Sequence, residues 1–288
     1  MNSNEPKNDR EAMSNLVPLY LKEISVGKVH SKFNNGLNIQ IEEYLIFIGR
    51  CGTPLAAFGL NIAEERLQHL LNLVKIGDLV VNKRSKLIFY SGHGVITVDY
   101  KDLAEIDIRL PKVACSVKAI PYSLLYQSLA AIEFEKVIGL ELDEKTTKYV
   151  ELLVHSDKED RNVNALIINF FAGRGKGLTP SGDDILIGFT LVLMLFGQFK
   201  AWKKALAMEV TDDKTTLISV AYLGALLAGY ASEPLICLVK LIDHTEMNAI
   251  AKTITEVRSF GHTSGNDTLF GFFLGLKFLI NQEKEQCE

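Results

Sequence analysis

Short apolar runs separated by turn residues predict that the first half of the chain is rich in β-strands. The runs are enriched in β-branched and aromatic residues, which is typical of strands. The sequence SGHG at 91–94 lies between two of them and predicts a hairpin turn. The predicted strands cover residues 37–41, 44–49, 55–60, 87–90 and 94–100.

Two helices are expected within this β-rich half. Asn61 followed by Glu64 fits a helix start, and an apolar stripe at helical spacing follows it at Leu67, Leu70, Leu71 and Val74. A second helix should begin near Pro121, because proline is favoured in the first turn of a helix. Its apolar positions are Leu125, Leu129 and Ile132.

After residue 140 the hydrophobic period becomes helical almost throughout. The predicted helices cover residues 143–155, 162–172, 183–199, 214–230, 234–243, 247–258 and 267–280. The fold class is therefore α+β, with a β-rich N-terminal domain followed by a mainly helical C-terminal domain. The expected divisions are a disordered tail at 1–14, the two domains at 15–140 and 141–281, and a polar tail at 282–288.

Composition narrows the class of protein. A chain of 288 residues has room for two modest domains, and its formal charge of −4 gives no global basic field for nucleic acid or anionic membrane. The most apolar runs, 185–196 and 217–231, are shorter than the roughly 20 residues of a membrane span. The four cysteines form no C-x-x-C pair. With no apolar signal sequence at 1–14, these features predict a cytoplasmic protein.

The segment with the clearest chemical content is GRGKGLTPSGDD at 173–184. Its glycines let a ligand approach the main chain, and the helix that follows presents free N–H groups at its positive end. Arg174 and Lys176 add full charges. The segment therefore predicts a site for a small anion such as phosphate or carboxylate, although its spacing is neither that of a P-loop nor that of the dinucleotide fingerprint.

Part of this motif occurs twice. GLTPSGDDILIGF at 177–189 is echoed by GHTSGNDTLFGF at 261–272, with one deletion at Pro180. The identical positions include a threonine, a serine, an aspartate and glycines. We therefore expect the two loops to lie side by side, with their helices crossing near Gly188 and Gly271.

These two loops supply the candidate site residues. The carboxylates can orient a substrate or jointly hold a divalent cation, and His262 can act as an acid or base. No cofactor is expected otherwise. The candidate catalytic residues are Asp183, Asp184, Asp267 and His262. The candidate substrate-binding residues are Gly173, Arg174, Gly175, Lys176, Gly177, Thr179, Ser181, Gly182, Thr263, Ser264 and Gly265.

A purely structural interpretation competes with this one. Ser181 with Asp184, and Ser264 with Asp267, both fit the capping box of a helix start. Capping alone leaves the shared threonine and glycine and the cations of the first loop unexplained, so a functional role is favoured. Thr215, Thr216 and Ser219 are better explained as a helix start, and DHTE at 243–246 as a solvated turn.

The two motifs together resemble the AllH-like family, bacterial proteins known as the H subunit of oxamate carbamoyltransferase in anaerobic allantoin breakdown. The resemblance covers residues 162–273. It implies a subunit that transfers a carbamoyl group between carbamoyl phosphate and oxamate, giving oxalurate, or that catalyses the reverse phosphorolysis. It also implies partner subunits and small anionic substrates.

Two other function classes remain open from the sequence. One is a non-catalytic anion-binding or scaffolding subunit whose chemistry is completed by its partners. The other is a metal-dependent hydrolase that uses Asp183, Asp184 and Asp267. Neither nucleic acid nor a membrane is an expected partner.

Overall fold

The computed structural model describes residues 10–21, 24–197 and 200–285. Residues 1–9, most of the predicted N-terminal tail, and 286–288 lie outside this description. Contacts divide the chain into two compact units. The first is Met1–Arg109 with Tyr230–Glu233, and the second is Leu110–Gly229 with Pro234–Glu288. Sequence analysis placed the boundary near residue 140. The α+β class is confirmed.

The first unit is built on a sheet whose strands within the described ranges are β1 (Ala12–Ser14), β2 (Ile24–Phe33), β3 (Gly36–Ile41), β4 (Tyr44–Arg50), β5 (Gly59–Ile62), β6 (Leu79–Lys83), β7 (Lys86–Ser91), β8 (Gly94–Asp99) and β9 (Ala104–Ile106). Their order is β8-β7-β6-β2-β3-β4-β5-β1-β9. The pairs β4–β5 and β1–β9 are parallel, and the other neighbours are antiparallel.

The structure confirms most of the predicted strands and corrects the start of one. The runs at 37–41, 44–49, 87–90 and 94–100 form β3, β4, β7 and β8, and Ser91 lies opposite Gly94 across the predicted hairpin. The predicted strand at 55–60 begins only at Gly59, because a turn precedes it in which the Gly59 N–H donates to Ala56 O at 3.0 Å.

Sequence analysis missed several strands. Lys28, Lys32 and other polar residues interrupt the apolar pattern of β2, which nevertheless pairs with both β3 and β6. The prediction of a disordered tail at 1–14 is wrong for residues 12–14. They form β1, which pairs with β5 and β9 and therefore has its main-chain groups engaged in the sheet.

Helices α1 (Val17–Tyr20) and α2 (Glu64–Leu73) accompany this sheet. The predicted apolar stripe of α2 is confirmed, since Leu67, Leu70 and Leu71 are buried in the core cluster of the sheet. Asn61 does not cap the helix. It lies within β5 and its side-chain amide donates to Thr53 O at 2.8 Å.

The helices of the remaining chain are α3 (Leu124–Ala130), α4 (Glu144–His155), α5 (Arg161–Phe171), α6 (Ser181–Leu195), α7 (Lys200–Glu209), α8 (Leu217–Leu227), α9 (Glu233–Lys240), α10 (Met247–Arg258) and α11 (Ser264–Glu285). Two 3-10 helices, Val117–Tyr122 and Phe134–Lys136, precede α4. Pro121 lies in the first of these, and α3 begins after Ser123, whose hydroxyl accepts from Tyr126 N.

Two predicted boundaries in this half require correction. The helix predicted at 183–199 ends at Leu195, and Gly197 follows with a φ of 73°. A helix that was not predicted, α7, comes next and buries Trp202 and Leu206. Residues 282–285 of the predicted polar tail form the end of α11.

Helices α6 and α11 form the centre of the second unit. Every residue of α6 from Ser181 to Leu193 is buried, which explains its apolar character on all sides. Trp202 packs against Phe189 of α6, and its indole N–H donates to Thr190 Oγ1 at 2.8 Å. None of the described helices combines the length and apolar character needed to cross a membrane.

Candidate anion site at two helix starts

The two motif loops meet where α6 and α11 begin. Ser264 Oγ, at the start of α11, donates a hydrogen bond of 2.6 Å to Asp184 Oδ2 in the first turn of α6. Thr179 Oγ1 lies 2.5 Å from the same Ser264 oxygen. These contacts join residues of both motifs, and they confirm the prediction that the loops lie side by side.

The glycines of the two motifs allow the helices to cross at very short range. A Cβ placed on Gly188 would lie 2.0 Å from Thr268 O, and a Cβ on Gly271 would lie 2.0 Å from Ile185 O. No larger residue fits, because the obstructing atoms belong to the backbone. The predicted crossing near Gly188 and Gly271 is confirmed.

The first turns of α6 and α11 also pack closely, through equivalent glycines, against the helices that precede them. A Cβ on Gly182 would lie 2.0 Å from the carbonyl oxygen of Phe171, at the end of α5. A Cβ on Gly265 would lie at the same distance from Val257 O, near the end of α10. The helix–loop–helix α5–α6 is therefore repeated by α10–α11, and the sequence echo reflects two equivalent halves of one arrangement.

The loop before α6 exposes backbone donors. Gly173, Gly175 and Gly177 have φ values of 69°, 122° and 101°, a region that favours glycine. The N–H groups of residues 175–179 make no hydrogen bond to other described residues. Free amides at the start of a buried helix are suited to binding an anion.

The two cations of this loop are placed differently. The Arg174 guanidinium lies 4.0 Å from the centroid of the Phe170 ring, and its Nε donates to Phe170 O at 2.9 Å. These contacts hold Arg174 in a defined position beside the loop. Lys176 is exposed.

Asp183 fixes the glycine loop to the residues that immediately precede helix α8. Its Oδ1 accepts from Gly173 N at 2.8 Å, and its Oδ2 accepts from the Thr215 hydroxyl. Burial raises the pKa of Asp183, while the hydrogen bonds from Thr215 and Gly173 oppose that rise. Both oxygens thus have protein partners, and the observed contacts position the loop.

The start of α8 was interpreted from sequence as a helix start only. Thr216 confirms this interpretation, because its hydroxyl caps α8 by accepting from Ser219 N at 3.1 Å. The same hydroxyl donates to Leu178 O of the first loop at 2.5 Å. Thr215 and Thr216 therefore also support the site, which the helix-start pattern alone did not indicate.

Asp184 is a buried carboxyl group between the two motifs, with 4% of its surface exposed. Burial raises its pKa well above the usual value, the Ser264 hydrogen bond opposes this, and the charge of Asp267 adds to it. On α8, Tyr222 has its pKa raised to about 12, first by burial and then by Asp184. Burial of this group therefore favours the neutral form of the Asp184 carboxyl more than exposure to water would.

Asp267 occupies the equivalent position in α11 and is fully buried. Its Oδ1 accepts from Gly139 N at 2.8 Å. Burial raises its pKa, and this hydrogen bond, Thr263 and Ser181 lower it. Gly139 was missed by sequence analysis, because it lies between a 3-10 helix and α4 with no motif around it.

The capping-box interpretation fails for α6. The residue before the helix is Pro180, which provides no side-chain cap, and the Asp184 side chain is bonded instead to Ser264 of the other motif. The Ser and Asp side chains of the echo thus connect two helices.

Two predicted site residues are not part of the hydrogen-bonded group of Ser, Thr and Asp side chains. Lys176 and His262 are exposed and make no side-chain hydrogen bond within the described residues. Among these residues, no group of three or more His, Cys, Asp or Glu side chains is arranged to hold a metal ion.

The comparison with protein families falls on this same region. A family model described as oxamate carbamoyltransferase subunit AllH matches residues 171–276, from the end of α5 into α11. No solved structure matches the chain. The matched segment contains both loops, helices α6 and α8, and the part of α11 that crosses α6. Over residues 171–276, this match supports the resemblance to the AllH-like family that the two motifs indicate.

Proposed function

We propose that this chain is a subunit of an oxamate carbamoyltransferase and that the paired helix starts bind its small anionic substrates. The observation that carries the proposal is the contact of Ser264 with Asp184 and Thr179, which joins the two family motifs into one site. The proposed reaction is that of the matched family, oxamate carbamoyltransferase.

The reaction requires the protein mainly to bind the two substrates and to position them for transfer. The oxamate nitrogen forms a bond to the carbamoyl carbon, the bond from that carbon to the phosphate oxygen breaks, and the proton lost by the nitrogen leaves with phosphate. Negative charge develops on the carbamoyl oxygen and the leaving phosphate, where N–H donors and cations stabilise it. Holding both substrates together supplies a further part of the acceleration.

The first loop has the features needed for the phosphate. Its free amides at 175–179 and the exposed Lys176 offer donors and charge, and Arg174 is held beside them by Phe170. The second loop brings Ser264 and Thr263 to the same place with fewer cations. We therefore assign carbamoyl phosphate to the first loop, with oxamate beside the second.

The test is protection against unfolding by phosphate and by carbamoyl phosphate. A ligand that binds only the folded chain stabilises it by about 2.7 kcal/mol at a concentration 100 times its Kd. We expect both anions to raise the unfolding midpoint of the wild type, and Arg174→Ala with Lys176→Ala to remove the rise.

A second double variant controls for net charge. Arg161→Ala with Lys252→Ala removes the same charge from exposed positions of α5 and α10 outside the loops. It should keep the protection. If the loop variant and this control respond alike, the anions are not bound by the first loop, and the proposed site is wrong.

A further inference from the structure

We propose that strand β8 pairs with the same strand of a second copy of this chain, so that the two sheets join across a twofold axis. The proposal goes beyond the anion site and concerns the first compact unit. It rests on the open edge of β8, on the apolar face beside that edge and on the order of residues within the strand.

Strand β8 is an edge strand without the usual protection against pairing. Among the described strands it has one neighbour, β7, and the register between the two is regular over the whole strand. Its sequence, GVITVD, contains no lysine and no proline. The strand at the opposite end of the sheet, β9, has only three residues, one of which is Glu105. Native sheets normally shorten, charge or cover their edges, so the longer open edge of β8 indicates that a second strand binds there.

The main-chain groups of alternate residues in β8 point away from β7. Ser91 and Gly94 flank the two-residue turn of the hairpin and form a hydrogen-bonded pair, and such pairs alternate along an antiparallel ladder. The groups that point outward therefore belong to Val95, Thr97 and Asp99. On that side β8 has no neighbour among the described strands, so these donors and acceptors are open to a second strand.

The outer face of the sheet beside this edge carries an apolar row. Leu79, Tyr90 and Val95 lie directly opposite one another on β6, β7 and β8, so their side chains share one face. Their exposed fractions are 46%, 45% and 62%. Adjacent apolar side chains with this degree of exposure are typical of a surface that binds another protein.

A second row lies next to the first on the same face. Val26, Val81, Ile88 and Thr97 lie opposite one another on β2, β6, β7 and β8. Val26 and Thr97 are exposed, and Val81 and Ile88 are half-buried. Both rows end at the open edge of β8, where the side chains of a bound strand would extend them.

The ends of the chain outside the described residues do not match this edge. Residues 1–9 read MNSNEPKND and residues 286–288 read QCE. Neither segment has the β-branched residues that would continue the two rows, whereas β8 has four of them. A second copy of β8 therefore fits the edge better than either terminal segment.

The order of residues in β8 selects a register for this pairing. The outward groups belong to odd-numbered residues, so an antiparallel pair must place odd-numbered residues opposite one another. A twofold axis at Ile96 meets this condition and sets Val95 opposite Thr97 of the second copy. The row that ends at Val95 in one copy then continues in the other copy as the row of Thr97, Ile88 and Val81.

The charged residues favour this register over its neighbours. With Ile96 on the axis, His93 of one copy comes beside Asp99 of the other, and a protonated His93 complements that carboxylate. With Thr97 on the axis, Asp99 would instead lie opposite Val95, which places a charge against an apolar side chain. With Val95 on the axis, the paired part of the strand would shrink to residues 94–96.

Sedimentation velocity on the full chain tests the dimer. The wild type should sediment as a dimer, and in Thr97→Pro the lost N–H makes no bond to β7, so the sheet within each copy is retained. This variant should raise the Kd of the dimer by about tenfold or more, because the twofold axis makes each lost hydrogen bond occur twice.

Glu105→Pro is the matched control, because Glu105 lies in the other edge strand, β9. The Ala104 N–H donates to Glu11 O at 3.2 Å, and Ile106 O accepts from Asn15 N at 3.0 Å. The main-chain groups of Glu105, between these two residues, therefore point outward. This variant should remain dimeric. Circular dichroism reports whether both proline variants keep their fold.

Cysteine cross-linking tests the register without proline. In the proposed register Ile96→Cys faces its own equivalent in a non-hydrogen-bonded pair, whose Cα atoms lie about 4.5 Å apart, within the range of a disulfide. Mild oxidation should therefore link this variant into covalent dimers. Val95→Cys faces Thr97 of the second copy and should link much less. The wild type controls for its four native cysteines.

A monomeric wild type would overturn the inference and leave the edge of β8 to a partner of different sequence. An unchanged dimer in Thr97→Pro, or loss of the dimer in Glu105→Pro as well, would place the contact elsewhere. Equal cross-linking of Val95→Cys and Ile96→Cys would exclude the register. If Thr97→Pro does not fold, the cross-links still decide, because a dimer formed through another surface would not link Ile96→Cys in preference to Val95→Cys.

Discussion

Replacing Gly188 by alanine tests whether the close crossing of α6 and α11 holds the site together. In an isolated helix this change is favourable by about 1 kcal/mol, because alanine is the better helix former. In this structure the added Cβ would lie 2.0 Å from Thr268 O and 2.6 Å from Phe272 N. Both are backbone atoms, so no side-chain rotation can relieve the overlap.

The size of the effect follows from these opposing contributions. Overpacking a well-packed core costs about 1–3 kcal/mol and sometimes more, and an overlap with the backbone of a central helix belongs at the upper end. After the gain in helix propensity, we expect Gly188→Ala to lower the free energy of unfolding by about 2 kcal/mol or more. The helices must also separate, which moves Ser264 away from Asp184.

Urea unfolding followed by tryptophan fluorescence measures the stability of the unit that contains α6 and α11. Trp202 is the only tryptophan in the sequence, and it packs against Phe189, the residue after Gly188. Gly224→Ala is the control, because Gly224 also lies in a helix, α8, and a Cβ there would meet nothing within 4 Å. This control should be as stable as the wild type or up to about 1 kcal/mol more stable.

Equal midpoints for Gly188→Ala and Gly224→Ala would refute the reasoning. Such a result would mean that α6 and α11 can separate without loss, so that the glycines are not needed for their crossing. Retention of phosphate protection in a strongly destabilised Gly188→Ala would refute the second step, in which the crossing holds the two loops in register.

Two further predictions concern buried titratable groups. The pKa of Asp184 is raised in the folded chain. Its contribution to the free energy of unfolding is therefore fully present below about pH 4 and is lost as the pH rises through the folded-state pKa. Asp184→Asn should therefore gain stability relative to the wild type in urea titrations as the pH rises above about 4, and a constant difference would contradict this. Burial lowers the pKa of Lys158 to about 7, whereas the unfolded value is about 10.4. The stability of the wild type should therefore rise with pH between about 7 and 10.4, whereas that of Lys158→Met should not. Parallel stability profiles for the two proteins would contradict this prediction.

The sequence by itself determined the elements and chemistry that depend on local pattern. Short apolar runs rich in β-branched and aromatic residues, separated by turn residues, predicted β3, β4, β7 and β8, because such residues favour the extended backbone. The repeated Thr-Ser-Gly and Asp residues predicted two loops in contact. Glycines at equivalent positions indicated the crossing of α6 and α11, since only glycine permits such an approach between helices.

Tertiary structure decided whatever depends on partners that are distant in the chain. Strand β2 could not be predicted from its own sequence, in which Lys28 and Lys32 interrupt the apolar pattern, because its stability comes from pairing with β3 and β6. The Ser and Asp of each motif fit a capping box locally, yet Ser264 bonds to Asp184, 80 residues away. Gly139 N donates a hydrogen bond to Asp267, 128 residues away in the sequence, and the Thr215 hydroxyl donates to Asp183, 32 residues away. A hydrogen bond across such separations depends on how the helices pack, and local sequence pattern carries no record of that packing.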